Sequence, residues 1–226
     1  MHRQTRFCRP ALISNTLWTN LPITSICITV FLWGTLNASG QLTALCLHDV
    51  RDVSALTSSL YFLPAPICRL LMNIAIGALL PHLRPSIAVH AGCLVSGIAP
   101  LLLAKLCRID GPGYRTGVFQ AMALNPLGAD LMYTITSLVM TGAVPAKTQT
   151  LADGVLNMLS QVGKSVRIAT SAVLARQVPG QAGVGLEAFM LGYRAGWLYN
   201  CSLGFVSVLV SWWGLKSVHK VGIKKD

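Results

Sequence analysis

The chain has 226 residues, of which 53% are hydrophobic and 11% are charged, and its mean hydropathy is +0.59. A soluble core cannot accommodate so much apolar sequence gathered into long runs, so this composition excludes an ordinary soluble domain and predicts a protein that resides in the lipid bilayer. The net charge of +11 does not predict nucleic-acid binding, because the basic residues are spread over loops and tails without interleaved aromatic residues.

Six apolar runs follow one another along the chain, and each is about as long as a helix needs to be to cross the hydrocarbon layer. The breaks between them contain the proline, glycine and charged residues that are typical of turns. The runs are residues 21–46, 57–80, 86–104, 116–141, 154–175 and 195–215. We therefore predict an all-α membrane protein, with six transmembrane helices in one domain over residues 21–215.

Basic residues flank this domain at both ends. Arg3, Arg6 and Arg9 precede the first run, and four lysines follow the last one. An even number of spans places both termini on the same side of the membrane, and lysine and arginine favour the cytoplasmic side. We therefore predict a basic cytoplasmic segment over residues 1–20 and a basic cytoplasmic tail over residues 216–226.

The second run contains a cation in an otherwise apolar stretch. Arg69 lies near the middle of the run, after Pro64 and Pro66 and before Asn73. Proline removes a backbone donor and bends a helix, so this spacing predicts a kinked helix with a polar inner edge.

The fourth run contains a carboxylate, Asp130, which is the only charged residue between positions 116 and 146. Placing an acid at the middle of a bilayer costs about 2.5–3.5 kcal/mol on insertion scales, so such groups usually face a cavity, pair with a cation or carry protons. Two hypotheses follow for Asp130. It takes part in proton coupling, or it forms a structural ion pair with a cation of the fifth run, Lys164 or Arg167.

The fifth run carries polar side chains on one face of its predicted helix, in a narrow wedge at about 100° per residue. They are Asp153, Asn157, Ser160, Lys164, Arg167 and Ser171. We expect this face to meet a water-filled path or a counter-ion, since two cations against lipid would cost about 5–7 kcal/mol. The alternative is that Lys164 and Arg167 snorkel to the membrane surface or belong to an interfacial helix.

The rest of the chain adds few chemical groups. Residues 185–194 are predicted to form a short amphipathic helix at the membrane surface, with a plain loop as the alternative. The seven cysteines are scattered singly, without companion histidines at metal-ligand spacing, and no nucleophile and base are paired. We therefore predict a protein that is not an enzyme and that needs no metal or cofactor.

Three segments together resemble one known family. They are residues 125–130 (Asn-Pro-Leu-Gly-Ala-Asp), 145–149 (Pro-Ala-Lys-Thr-Gln) and 161–165 (Gln-Val-Gly-Lys-Ser). They are similar to the carboxy-terminal half of fungal major facilitator transporters. The closest branch is the fourteen-span drug:proton antiporters, which includes aminotriazole-resistance and low-affinity ammonium carriers. The resemblance covers about residues 30–215.

This resemblance implies one half of a major facilitator fold, built from two inverted three-helix repeats. It also implies proton-driven efflux of a drug, toxin or metabolite across the plasma membrane, with Asp130 as the coupling acid and Lys164 as its partner or as a substrate contact. Further candidates for the substrate path or for counter-ions are Arg167, Asn157, Gln161 and Asn125.

Two classes of function follow from these expectations. In the first, the chain is a transporter half that works as a homodimer, with a second half, or within a longer product. In the second, it is a membrane fragment without transport of its own, or a partner that regulates a full-length carrier.

Overall fold

A computed structural model describes residues 21–79, 84–107, 118–178 and 185–215, and these residues form helices and short connections without a strand. The helices are α1 (Leu21–Trp33), α2 (Thr35–Asp49), α3 (Ala55–Phe62), α4 (Pro64–Leu79), α5 (Pro85–Leu106), α6 (Val118–Gly142), α7 (Gln149–Gln177) and α8 (Leu186–Leu215). A short 3₁₀ turn at Ala146–Thr148 leads into α7. The basic segments predicted for residues 1–20 and 216–226 lie outside the described residues.

Every predicted apolar run coincides with one helix or with two consecutive helices. The second run breaks at Leu63, directly before Pro64, which confirms the predicted kink. The first run was expected to be a single helix, and this prediction is wrong, because the helix is interrupted at Gly34.

Three helical stretches are long and apolar enough to cross a membrane by length and composition: Leu56–Leu79, Pro85–Leu106 and Leu186–Leu215. Helix α1 has only 13 residues. Helices α6 and α7 have the length but not the apolarity, since both carry polar and charged side chains along their course. The chain is thus an all-helical membrane protein, whereas its six crossings remain a prediction.

Helix α8 is continuous from Leu186 to Leu215, so the prediction of a separate surface helix over residues 185–194 is wrong. The first turns of α8 pack into the bundle. Tyr193 Oη donates a hydrogen bond to Asp49 Oδ2 at 2.5 Å, and Arg194 Nε donates one to the carbonyl oxygen of Ala104 at 3.1 Å. These contacts join α8 to α2 and α5.

Helix α8 contacts α1, α2, α5 and α7, and α5 in turn packs along α6. Two of these helix pairs cross where glycines face each other. A Cβ atom at Gly128 of α6 would lie 2.6 Å from the carbonyl oxygen of Gly92 in α5, and a Cβ at Gly204 of α8 would lie 2.8 Å from Gly97 Cα in α5. Small residues at such crossings let helix backbones approach each other, as is common in membrane proteins.

Helix α4 lies at the margin of the bundle. It packs on α6, and Ile76 is its only buried residue. Large apolar side chains of α3 and α4 are exposed: Leu56, Leu60, Leu63, Ile67, Leu70, Leu71, Ile74 and Leu79. An apolar face of this size suits lipid or another helical surface rather than water.

Replacing Gly128 with alanine should destabilise the fold, because the new methyl group would press into the backbone of α5. Overpacking of this kind costs about 1–3 kcal/mol. The measurement is the temperature at which the purified protein in detergent loses its monodisperse peak in size-exclusion chromatography. Gly154→Ala in α7 is the matched control, because a Cβ there meets nothing within 4 Å. Equal loss of stability in the two variants would contradict the tight crossing.

Candidate functional site

A cavity of about 410 Å³ lies between the marginal helices α3 and α4 and the rest of the bundle. Its walls come from the end of α1 and from α2, α3, α4, α6 and α7. The lining residues are Trp33, Gly40, Gln41, Phe62, Ala65, Pro66, Arg69, Met122, Asn125, Pro126, Ala129 and Lys164. The volume is in the range of pockets that hold small organic molecules, and the mixture of apolar walls with a few polar groups is typical of such pockets.

The position of Lys164 in this cavity depends on a close helix crossing. A Cβ atom at Gly34 would lie 2.7 Å from the backbone nitrogen of Lys164, and a Cβ at Gly163 would collide with the carbonyl oxygen of Phe31. The break between α1 and α2 therefore lies directly against the backbone of α7. Because both positions are glycine, α7 approaches closely enough for Lys164 to form part of the cavity wall.

The carboxylate of Asp130 lies beside the cavity and binds a residue that lines it. Arg69 Nε on α4 donates to both carboxylate oxygens of Asp130 on α6, at 3.0 and 2.9 Å. The carboxylate side chain is 13% exposed, whereas the arginine side chain is 57% exposed. This ion pair joins the marginal helix α4 to α6.

The sequence hypothesis of an ion pair had named Lys164 or Arg167 as the partner of Asp130, and this part of it is wrong. The structure places the guanidinium of Arg69, and not a cation of α7, against the carboxylate of Asp130. The sequence did carry a signal for this pair. Arg69 and Asp130 are opposite charges near the middle of two apolar runs, and charges in such positions usually pair.

The polar wedge predicted on α7 divides between two environments. Ser160, Arg167 and Ser171 are buried in the bundle, and Lys164 is half-buried at the cavity. Asn157 and Gln161 are exposed, as is Asp153, which accepts a hydrogen bond from Ser137 Oγ at 2.8 Å. The structure thus brings Asn125 and Lys164 together, and it places Asn157, Gln161 and Arg167 away from the cavity lining.

The opposite side of α7 is apolar and exposed, with Val162, Val166 and Val173 each about half accessible. Arg167 is only 3% exposed, and its terminal nitrogens have no hydrogen-bond partner among the described residues. One turn further along, Ser171 Oγ donates to Asn200 Oδ1 of α8 at 3.2 Å. Arg167 therefore points into the bundle and not to the membrane surface, which excludes the snorkelling alternative for this residue.

The described residues contain no cluster of three histidine, cysteine, aspartate or glutamate side chains that could hold a metal ion. Sequence analysis also missed part of the cavity wall. Gln41, Trp33, Phe62 and Met122 lie far apart along the chain, and they meet only because α1, α2, α3 and α6 pack around one space. Nothing in the local sequence of any of them indicates this.

No family model matches the chain. The chain is similar to MFS-type transporter 1 of the fungus Pyricularia oryzae, with 34% identity over 97% of its own length. The match spans 39% of the length of that protein. This similarity and the apolar helices agree on a membrane protein.

A double-mutant cycle should detect the ion pair between α4 and α6. Arg69→Ala and Asp130→Ala should each lower thermal stability in detergent, and the double variant should lose less than the sum, by about 0.5–3 kcal/mol, because either single change already removes the contact. A parallel cycle with Lys164→Ala and Asp130→Ala is the control, and it should be additive to within about 0.5 kcal/mol. Equal coupling in both cycles would contradict the pairing.

Proposed function

We propose that the chain is part of a major facilitator transporter, and that it contributes one wall of the substrate path to proton-driven efflux of a small molecule across the plasma membrane. The observation that carries this proposal is the cavity, whose wall contains Asn125, Lys164 and Arg69, the partner of Asp130. Similarity to a protein named as an MFS-type transporter supports the same conclusion. The proposed topology has six membrane crossings and cytoplasmic termini.

The ion pair between Arg69 and Asp130 suggests how protons could be coupled to movement. A protonated carboxyl group at Asp130 would no longer attract the guanidinium, so α4 would lose its charged contact with α6. Because Arg69 also lines the cavity, its release would change the shape and charge of the space that holds the substrate. Proton binding and substrate binding would thus act on one side chain.

Transport by alternating access requires a second surface, because substrate sites in this class lie between two rocking halves. Helices α3 and α4 form part of the cavity wall, and their exposed apolar face could meet such a surface. We propose that this surface is a second half of the carrier or a second copy of the chain. The lipid bilayer surrounds the remaining apolar faces.

A second candidate is a membrane fragment that does not transport and that regulates a full-length carrier. The chain spans only 39% of the relative that it matches, and this observation keeps the candidate open. Co-expression separates the two proposals. A regulator would change dye efflux by a co-expressed full-length carrier even with Asp130→Asn, whereas a transporter part would need the acid.

Asp130→Asn should abolish most of the proton-driven efflux, because asparagine cannot carry a proton or hold Arg69 by charge. The measurement is efflux of the anionic dye fluorescein from preloaded yeast cells that express the chain, with and without a protonophore. We expect the variant to match the rate that the unmodified chain shows after the gradient has been collapsed.

Asp153→Asn is the matched control, since Asp153 is an exposed carboxylate bound by a serine, outside the cavity. It should retain the gradient-driven rate. Unchanged efflux by Asp130→Asn, at an equal amount of protein in the plasma membrane, would refute the coupling role of Asp130.

A further inference from the structure

The charged residues in the cavity wall are cations. Arg69 and Lys164 line the space, and the lining contains no carboxylate. The charge of Arg69 is balanced by Asp130. The charge of Lys164 is not, because its ammonium group forms no ion pair with a carboxylate of the described residues. The cavity wall therefore carries an excess of one positive charge.

Two of the described carboxylates, Asp49 and Asp153, bind other groups. Asp49 accepts a hydrogen bond from Tyr193 and contacts His48, and Asp153 accepts one from Ser137. Asp153 is also roughly 16 Å from Lys164 along α7, at about 1.5 Å per residue. The ammonium group of Lys164 is half-buried in this wall, so the cavity favours an occupant that brings a negative charge.

The other residues that line the cavity indicate the chemical character of the remainder of the ligand. The side-chain amide of Gln41 can donate hydrogen bonds, and Phe62 and Met122 offer aromatic and apolar surface. A cavity of about 410 Å³ fits a small molecule with an apolar body and is small for a two-chain lipid. One acidic group and one aromatic or aliphatic body would complement this wall.

We propose that the substrate class of this site is a small aromatic or aliphatic carboxylate, bound with its anionic group at the ammonium of Lys164. This inference rests on the proposed function, because it assumes that the cavity is the substrate path. It assigns the selectivity of the path for anionic substrates to Lys164. The charge of Arg69 is already balanced by Asp130.

The test compares two molecules of the same shape and different charge. 2-Naphthoate and its neutral amide are measured by equilibrium dialysis against the purified chain in phosphatidylcholine nanodiscs. The unmodified chain should bind the carboxylate roughly tenfold more tightly than the amide, because the carboxylate alone gains a charge-assisted hydrogen bond. Equal affinities, or no binding of the carboxylate, would overturn the proposal.

Variants at one position test the assigned residue. Lys164→Gln should lose the preference for the carboxylate, and Lys164→Arg should keep most of it. Lys105→Gln, which removes an exposed lysine at the end of α5 outside the cavity, should leave the preference unchanged. Elution volume and helical circular dichroism confirm the fold of each variant. A preference retained by Lys164→Gln would refute the role of Lys164.

Asp130→Asn distinguishes this inference from the proposed transport mechanism. The substitution removes the counter-ion of Arg69 and leaves two cations in the cavity wall, so binding of 2-naphthoate should tighten while proton-driven efflux is lost. Tighter binding with normal efflux would refute the coupling mechanism and leave the carboxylate site standing. Weaker binding of 2-naphthoate by Asp130→Asn would count against the charge argument itself.

Discussion

Close contact between helix backbones at glycine pairs determines where the candidate side chains Asp130 and Lys164 lie. Gly128 packs against Gly92, and Asp130 follows it two residues later; Gly163 packs against the break at Gly34, and Lys164 is the next residue. Lipid tails are as apolar as the helices, so the hydrophobic effect contributes little to helix association in a membrane. Van der Waals contact between closely packed helices stabilises the association instead. The backbones of Asp130 and Lys164 are thus next to the points where the helices are in closest contact.

Four charged side chains of α4, α6 and α7 occupy three different environments. Asp130 and Arg69 neutralise each other between two helices, Lys164 lines a cavity, and Arg167 is buried without a hydrogen-bond partner for its terminal nitrogens among the described residues. Only the first arrangement satisfies both charges locally. The other two cations form no ion pair with a carboxylate of the described residues.

The bundle is unequally packed, and this inequality agrees with a chain that spans a minor part of its longer relative. More than half of α5 is buried, whereas α3 and α4 are almost wholly exposed although they are apolar as well. The ion pair with Asp130 is one of the contacts that hold α4 against α6.

The sequence by itself determined the class of the protein, because an apolar run favours a membrane helix whatever its neighbours are. The apolar runs located the helices, and Pro64 located the kink. It also drew attention to Asp130 and Lys164, since a charge in an apolar run stands out without knowledge of its neighbours. The tertiary structure decided which groups meet. Three features depend on which helices touch: the choice of Arg69 as the partner of Asp130, the break at Gly34, and the place of Gln41 and Phe62 in the cavity wall. The residues that meet are tens of positions apart, so the sequence around each one does not specify its partner.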